Sequence, residues 1–191
     1  MRKVVFDLET SNIFEEVGSS DAIDLDMSVA CAYDYETDKY YSFTKDTLKD
    51  FWPILEKADL LIGFNSDHFD IPLLNKYYTG DLTKIKSLDL LKEIKNSLGR
   101  RIKLDTVAEA TLGKGKIGHG LEATMWWKNG EYEKVIKYCT EDVKITKEVY
   151  EYALANGYLK YKDSGEIKEI KIDTSKWGDK PENTMTHTLP F

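Results

Sequence analysis

The chain has 191 residues, of which 41% are hydrophobic and 32% charged, enough for one globular domain with a well-solvated surface. Its formal net charge of −7 argues against a protein that passively coats DNA, since such proteins are normally basic. The two cysteines, Cys31 and Cys139, lack metal-ligand spacing, so we interpret them as reduced thiols of a cytoplasmic protein. The N-terminal sequence is not typical of a signal peptide, and no stretch approaches the ~18 apolar residues of a membrane helix. We therefore expect no membrane association.

The first third of the chain predicts mainly strands. Residues of high β propensity or alternating polarity indicate strands, and the later spacing of i, i+3, i+4 and i+7 indicates a helix. The predicted elements are a strand at 2–9, a loop at 10–26, a hairpin of strands at 27–34 and 38–44, a helix at 45–57 and a buried central strand at 59–64.

The remainder predicts mainly helices, separated by glycines. These are helices at 69–78, 89–98, 105–112 and 119–128, a long helical pair from 131 to about 155, and a weak hairpin at 158–172 that turns at 163–165. The order predicts an α/β fold whose mixed sheet has an antiparallel meander first and parallel strands second, flanked by helices. We expect a single domain over 1–172 and a polar C-terminal tail at 173–191.

Two acids on the first strand are the first candidate site. Asp7 and Glu9 are two residues apart, so both carboxylates point to the same face of the strand. Two such acids repel each other unless they share a cation. The alternative is a solvent-facing polar stripe on an edge strand.

Two more acids, Asp70 and Asp142, are further candidates for the site. Asp70 comes directly after the 59–64 strand, and open α/β sheets place their sites beyond the carboxyl ends of strands. The alternative is that Asp70 caps the next helix together with Asp67. Asp142 lies on the long C-terminal helix, with Tyr138 one turn earlier on the same face.

Taken together, the segments FDLET, GFNSDHFDIPLL and YCTEDV resemble the three exonuclease motifs of the DEDD superfamily, which has a DnaQ-like, RNase H-like fold. The tyrosine at position 138 in the third motif resembles the pattern of the DEDDy branch of that superfamily. The chain most resembles the proofreading exonuclease domains of family B DNA polymerases and their freestanding relatives, and residues 85–115 share this likeness.

The resemblance implies a 3′→5′ exonuclease with two metal ions. Asp7 would bridge both ions, Glu9 and Asp142 would hold the ion that binds the attacking water, and Asp70 would act on the second. Tyr138 would orient the water. Oxygen-only ligands select hard cations, so we expect Mg²⁺ or Mn²⁺.

A nucleic acid with a free 3′ end would need further contacts from basic loops and aromatic side chains. The candidates are Thr10, Phe64, Asn65, Phe69, Arg100, Arg101, Lys103, Lys114 and Lys116. For the basic residues, the alternative is a solvated loop without a partner.

Single-stranded or frayed DNA is the favoured substrate. The alternatives are a 3′→5′ exoribonuclease and, in a different class, a catalytically silent module that binds nucleic acid or a partner. The tail loosely resembles peptides that bind bacterial sliding clamps, with Leu189 and Phe191 as the contacts. Alternatively, the tail docks on its own domain.

Overall fold

The structure is a computed structural model and describes residues 1–114 and 120–178. Its strands are β1 (Lys3–Thr10), β2 (Met27–Asp34), β3 (Lys39–Thr44), β4 (Leu60–Gly63), β5 (Ser87–Asp89), β6 (Tyr158–Asp163) and β7 (Glu166–Lys171). Its α-helices are α1 (Phe14–Val17), α2 (Trp52–Glu56), α3 (Asp70–Asn75), α4 (Leu90–Leu98), α5 (Leu104–Leu112), α6 (Gly120–Lys128) and α7 (Tyr132–Asn156). Short 3-10 helices lie at Ala22–Asp24, Leu48–Asp50 and Leu82–Lys84.

The main sheet has five strands in the order β3-β2-β1-β4-β5. The pairs β1–β2 and β2–β3 are antiparallel, whereas β1–β4 and β4–β5 are parallel. This confirms the predicted α/β fold with an antiparallel meander followed by parallel strands. Strand β4 lies inside the sheet, as its continuous apolar run predicted. The strands β6 and β7 form a separate hairpin.

The two faces of the sheet bury two separate hydrophobic cores, and β1 contributes to both. Val5 faces the core that contains the buried stripe of α7. Val4, Phe6 and Leu8 face the opposite core, under α2 and α3. Because side chains alternate along a strand, Asp7 and Glu9 lie on the same face as Val5, toward α7.

Two predictions in the first third of the chain were wrong. The predicted loop at 10–26 contains α1 and a 3-10 turn. The predicted helix at 45–57 is broken into a 3-10 turn and α2, with Pro53 in the first turn of α2. Proline lacks an N–H donor, which only the first turn of a helix can do without, so the α-helix begins at this point.

Two predictions in the second part also need correction. Strand β5 was missed, because three residues are too few to show a strand period. The predicted helical pair from 131 to 155 is one helix of 25 residues, since no glycine or proline interrupts α7. The domain boundary at 172 stays a prediction; beyond it, Trp177 is buried and stacks on Tyr150 with ring centroids 5.5 Å apart.

Candidate metal centre

The carboxyl end of β1 places two acids beside an interrupted edge of the sheet. Pairing between β1 and β4 extends only to Val5 and Ile62, whereas β2 continues alongside β1. Asp7 and Glu9 lie beyond that point, and the register with β2 shifts immediately after Glu9. Bulges of this kind are common next to functional sites because they redirect side chains.

Helix α7 crosses over these two acids and adds a third. Asp142 lies on the buried face of α7, with Tyr138 one turn earlier. Asp7, Glu9 and Asp142 each offer a carboxylate oxygen, and these oxygens all lie within 4.8 Å of one another. Glu9 is only 8% exposed and Asp142 only 4%, whereas Asp7 is half-buried, so two of the three carboxylates are largely shielded from solvent.

The donor set fits a hard divalent cation. Two carboxylates 4.8 Å apart repel each other by about 3 kcal/mol at an effective dielectric constant of 20, and more when buried. A cation shared between Asp7, Glu9 and Asp142 would reverse this cost. With only oxygen donors, the preferred ions are Mg²⁺ and Mn²⁺.

The two cysteines pack under the acids. Both are buried and free, and Cys139 lies with its Sγ atom 3.4 Å from the backbone oxygen of Asp7. Burial, the adjacent Cys31 and the acids Asp7 and Glu9 raise the pKa of the Cys139 thiol well above its ordinary value. Cys139 is therefore a neutral donor in the floor of the site, not a nucleophile.

Asp70 approaches the same strand from the other side. Its Oδ1 accepts a hydrogen bond of 3.1 Å from the backbone N–H of Leu8, between the two acids of β1. The carboxylate thus takes the place of β4, which has ended. Asp70 is itself the first residue of α3, with Phe69 at the capping position, so the capping alternative is wrong. Asp70 lies against β1 but is not one of the three acids within 4.8 Å of one another.

One cavity lies beside the acids, and a larger one shares a lining residue with it. One, of about 400 Å³, is lined by Glu9, Thr10 and Phe69. The other, of about 860 Å³, is lined by residues that include Phe64, Asn65, Arg101 and Lys103. Leu121 on α6 lines both and is 66% exposed. Six of the predicted nucleic-acid contacts therefore line these two cavities: Thr10 and Phe69 the one at Glu9, and Phe64, Asn65, Arg101 and Lys103 the larger one.

Comparison with known proteins decides the family. A sequence model of the RNase H superfamily matches residues 4–154, most of the chain. The chain belongs to the RNase H superfamily. Among solved structures, the family B DNA polymerase from the hyperthermophilic archaeon Pyrobaculum calidifontis is similar, with a TM-score of 0.62 and 19% sequence identity. The match covers 81% of this chain and 24% of that polymerase, so the chain spans about a quarter of its length. No curated protein sequence matches the chain.

Two other residues that were predicted to contact nucleic acid in this RNase H superfamily domain pair with acids of the same chain. Arg100 lies over the ring of Tyr161 and pairs with Asp163 of the β6–β7 hairpin. Lys114 donates to both carboxylate oxygens of Glu148 on α7, at 2.8 and 2.7 Å. Lys116 lies outside the described residues. The structure therefore brings Arg101 and Lys103 to the larger cavity but turns Arg100 and Lys114 toward other acids.

Three further predictions concern membrane association, the cellular location and the C-terminal tail. Over 1–114 and 120–178, no helix is long and apolar enough to cross a membrane. The cytoplasmic location stays a prediction. Leu189 and Phe191 lie outside the described residues, so the clamp contact also stays a prediction.

Sequence reasoning missed a fifth acid that shapes the site. Asp89, at the end of β5, is 5% exposed and accepts hydrogen bonds from four backbone N–H groups. Two belong to Asn65 and Asp67 in the loop before Asp70, and two to Leu91 and Lys92 in the first turn of α4. An Asp directly before an apolar helical run is the signal of an N-cap. The bonds to the loop leave no signal in the sequence.

Replacing Asp70 with asparagine tests its electrostatic state. Burial, reinforced by Asp89, raises the pKa of Asp70 from 3.8 to about 8. The folded protein therefore binds a proton that the unfolded chain releases, and the metal-free protein loses stability as pH rises from about 4 to about 8. Asp70→Asn keeps an oxygen acceptor without the charge. We expect it to stabilise the metal-free protein at pH 8 by about 1–3 kcal/mol, and by less at pH 5.

Urea unfolding in EDTA at both pH values measures this effect. The same variant should lose most of any metal-dependent activity, because its amide is a poorer ligand than a carboxylate. A variant less stable than the parent at both pH values would show that Asp70 is charged and satisfied in the folded protein.

Proposed function

We propose that the protein is a metal-dependent 3′→5′ exonuclease that releases 5′-nucleotides from single-stranded or frayed DNA. The observation that carries the proposal is the convergence of Asp7, Glu9 and Asp142, with carboxylate oxygens within 4.8 Å, beside the buried Tyr138. A silent binding module has no need to keep all four acids and the tyrosine, so it is the weaker alternative.

Asp7, Glu9 and Asp142 would hold the metal, and Asp70 would join them from across β1. When bound, Mg²⁺ or Mn²⁺ would lower the pKa of a water molecule and stabilise charge on the scissile phosphate and the leaving oxygen. Four carboxylates suit two such ions.

Tyr138 has a positioning task in this proposal. Its ring is 4% exposed and packs edge-on against Trp126, with centroids 5.9 Å apart at 73°. This contact restrains the ring beside the acids, so that the hydroxyl would orient the attacking water. A tyrosine of ordinary pKa, ~10, is a poor base at neutral pH, so we assign it orientation and not proton abstraction.

Single-stranded or frayed DNA is the proposed substrate. A similar solved structure is that of a DNA polymerase, and this similarity supports DNA over RNA. RNA is the second candidate, because the same metal site would serve both and discrimination depends on contacts to the 2′-hydroxyl.

The test uses 5′-labelled single-stranded DNA, duplex DNA and RNA with Mg²⁺ or Mn²⁺. We expect a ladder that shortens from the 3′ end with the parent and none with Asp7→Ala. Asp46→Ala removes an exposed acid outside the site and serves as the control, with activity like that of the parent. The absence of metal-dependent degradation of every substrate would defeat the proposal.

Tyr138→Phe separates orientation from metal binding. We expect kcat to fall by about 10- to 100-fold, since a positioned group of this kind contributes on that scale. The apparent affinity for Mn²⁺, measured by calorimetry, should stay within about twofold because no carboxylate is lost. An unchanged kcat would remove Tyr138 from the mechanism.

The clamp contact is tested separately. The full chain and a chain that ends at Met185 are each titrated with a sliding clamp. Equal binding by both would eliminate a role for Leu189 and Phe191.

A further inference from the structure

The larger cavity shares lining residues with the opening at Glu9 and with a third cavity. Leu121 separates the opening at Glu9 from the larger cavity at Arg101. Asn65, Leu91 and Arg101 line both the larger cavity and a further one of about 300 Å³. A strand with its 3′ end at the acids would therefore run past Leu121 and Arg101 to reach this third cavity.

The third cavity presents cations to solvent. Lys92, Lys95 and Arg101 line it, and all three are exposed. The two acids that line this cavity are already hydrogen-bonded within the protein. Asp89 is 5% exposed and accepts hydrogen bonds from four backbone N–H groups, and Asp67 accepts one from the Ser87 hydroxyl.

Lys92 and Arg101 each contact a neighbouring side chain but keep their charged groups exposed at the edge of the third cavity. Lys92 contacts Asp67 at 3.0 Å while its side chain stays 63% exposed. Arg101 donates to the side-chain oxygen of Asn65 at 2.6 Å, on the wall between the two cavities. Asn65 is itself fixed, with a positive φ of 68° and its N–H bonded to Asp89. Positive charges on a fixed wall suit backbone phosphates, which carry no sequence information.

We propose that Lys92, Lys95 and Arg101 form a second binding site for the substrate strand, which holds internucleotide phosphates several nucleotides from the 3′ end. The inference rests on the proposed function for its choice of ligand. It assigns the cavity to the strand that remains after cleavage, so it predicts tighter binding of long strands than of short ones.

The test compares two double variants with the same loss of charge. Lys92→Gln/Lys95→Gln changes the third cavity, and Lys49→Gln/Lys57→Gln changes exposed lysines that line none of the three cavities. Binding of fluorescein-labelled oligothymidylate of about ten nucleotides is followed by anisotropy with Mg²⁺ in the Asp7→Ala background, at several salt concentrations. Hydrolysis of this oligonucleotide and of a dinucleotide is measured with Asp7 intact.

We expect the cavity variant to raise Kd about tenfold and to lower the salt slope by about 1.4, since each lost phosphate contact on a single strand removes ~0.7. KM for the long oligonucleotide should rise with kcat unchanged, and dinucleotide hydrolysis should equal that of the control. Equal Kd and equal slopes in both double variants would overturn the inference, even if the protein degrades DNA. Lysine-dependent binding without any degradation would instead defeat the proposed function and leave the site standing.

Discussion

Replacing Asp142 with asparagine should lower kcat by at least about a thousandfold, while making the metal-free protein more stable. The activity falls because one of three clustered carboxylates is lost, and charge stabilisation of this kind accounts for several kcal/mol of a barrier. The stability rises because the remaining pair, Asp7 and Glu9, no longer faces a third negative charge within 4.8 Å.

Thermal unfolding with and without metal measures both parts of this prediction. In EDTA we expect Asp142→Asn to unfold a few degrees above the parent, at about 2–4 °C for each kcal/mol in a chain of this size. Added Mn²⁺ should reverse the order, since a ligand stabilises only the protein that binds it well.

The neighbouring acid supplies a matched control. Glu141 lies on the same helix and pairs with Lys144 at 3.7 Å, away from the three acids. Glu141→Gln removes the same charge one residue earlier, so kcat and the metal response should match those of the parent. If both variants behave alike, the clustered carboxylates are not a metal centre.

The acids themselves were predictable because each depends on a local period. Side chains alternate along β1, which puts Asp7 and Glu9 on one face without any tertiary information. One turn of α7 relates Tyr138 to Asp142 in the same way. That these two faces come together was implied by the resemblance of the three motifs to the DEDD superfamily, and the strand order was not predicted. In the structure the carboxylate oxygens of Asp7, Glu9 and Asp142 lie within 4.8 Å of one another.

The surroundings of Asp70 were not predictable, because they depend on bonds between segments distant in sequence. Strand β5 has three residues and no readable period, yet it carries Asp89. Asn65 adopts a positive φ of 68°, and a Cβ on Gly63 would lie 2.4 Å from that of Ser66, so the loop is tightly folded. Neither fact has a local signature. The side-chain partners in the basic loops could not be predicted either, since Arg100 and Lys114 pair with acids that are distant in sequence, at positions 163 and 148.

These bonds link the loop before Asp70 to the candidate metal centre through a single buried carboxylate, that of Asp89. Asp89 holds Asn65 and Asp67, and the same loop delivers Asp70 to the N–H of Leu8. Because the loop packs within a few ångströms of itself, displacement of its start moves its end. Asp89 is therefore a positioning residue in the proposed enzyme, although it lies outside the three-acid cluster.

Replacing Asp89 with alanine should destabilise the protein by about 2–4 kcal/mol, because it leaves buried N–H donors without an acceptor at about 1–3 kcal/mol each. Serine at the same position separates the two roles of Asp89. Its short side chain still caps the first turn of α4 but does not reach the loop. We expect Asp89→Ser to recover about 1 kcal/mol of the loss. Activity should stay about as low as in the alanine variant.

Hydrogen exchange locates the effect independently of catalysis. In Asp89→Ser the amides of Asn65 and Asp67 should lose protection while those of Leu91 and Lys92 keep it. The apparent Mg²⁺ requirement for hydrolysis should rise about tenfold, and high Mg²⁺ should restore part of the rate, since outer contacts of metal ligands act on this scale. Asp81→Ser is the matched control, because Asp81 caps an exposed 3-10 turn through Thr83 and should leave the metal requirement unchanged. If Asp89→Ser is less stable but needs no more metal than this control, Asp89 holds the fold together without positioning Asp70.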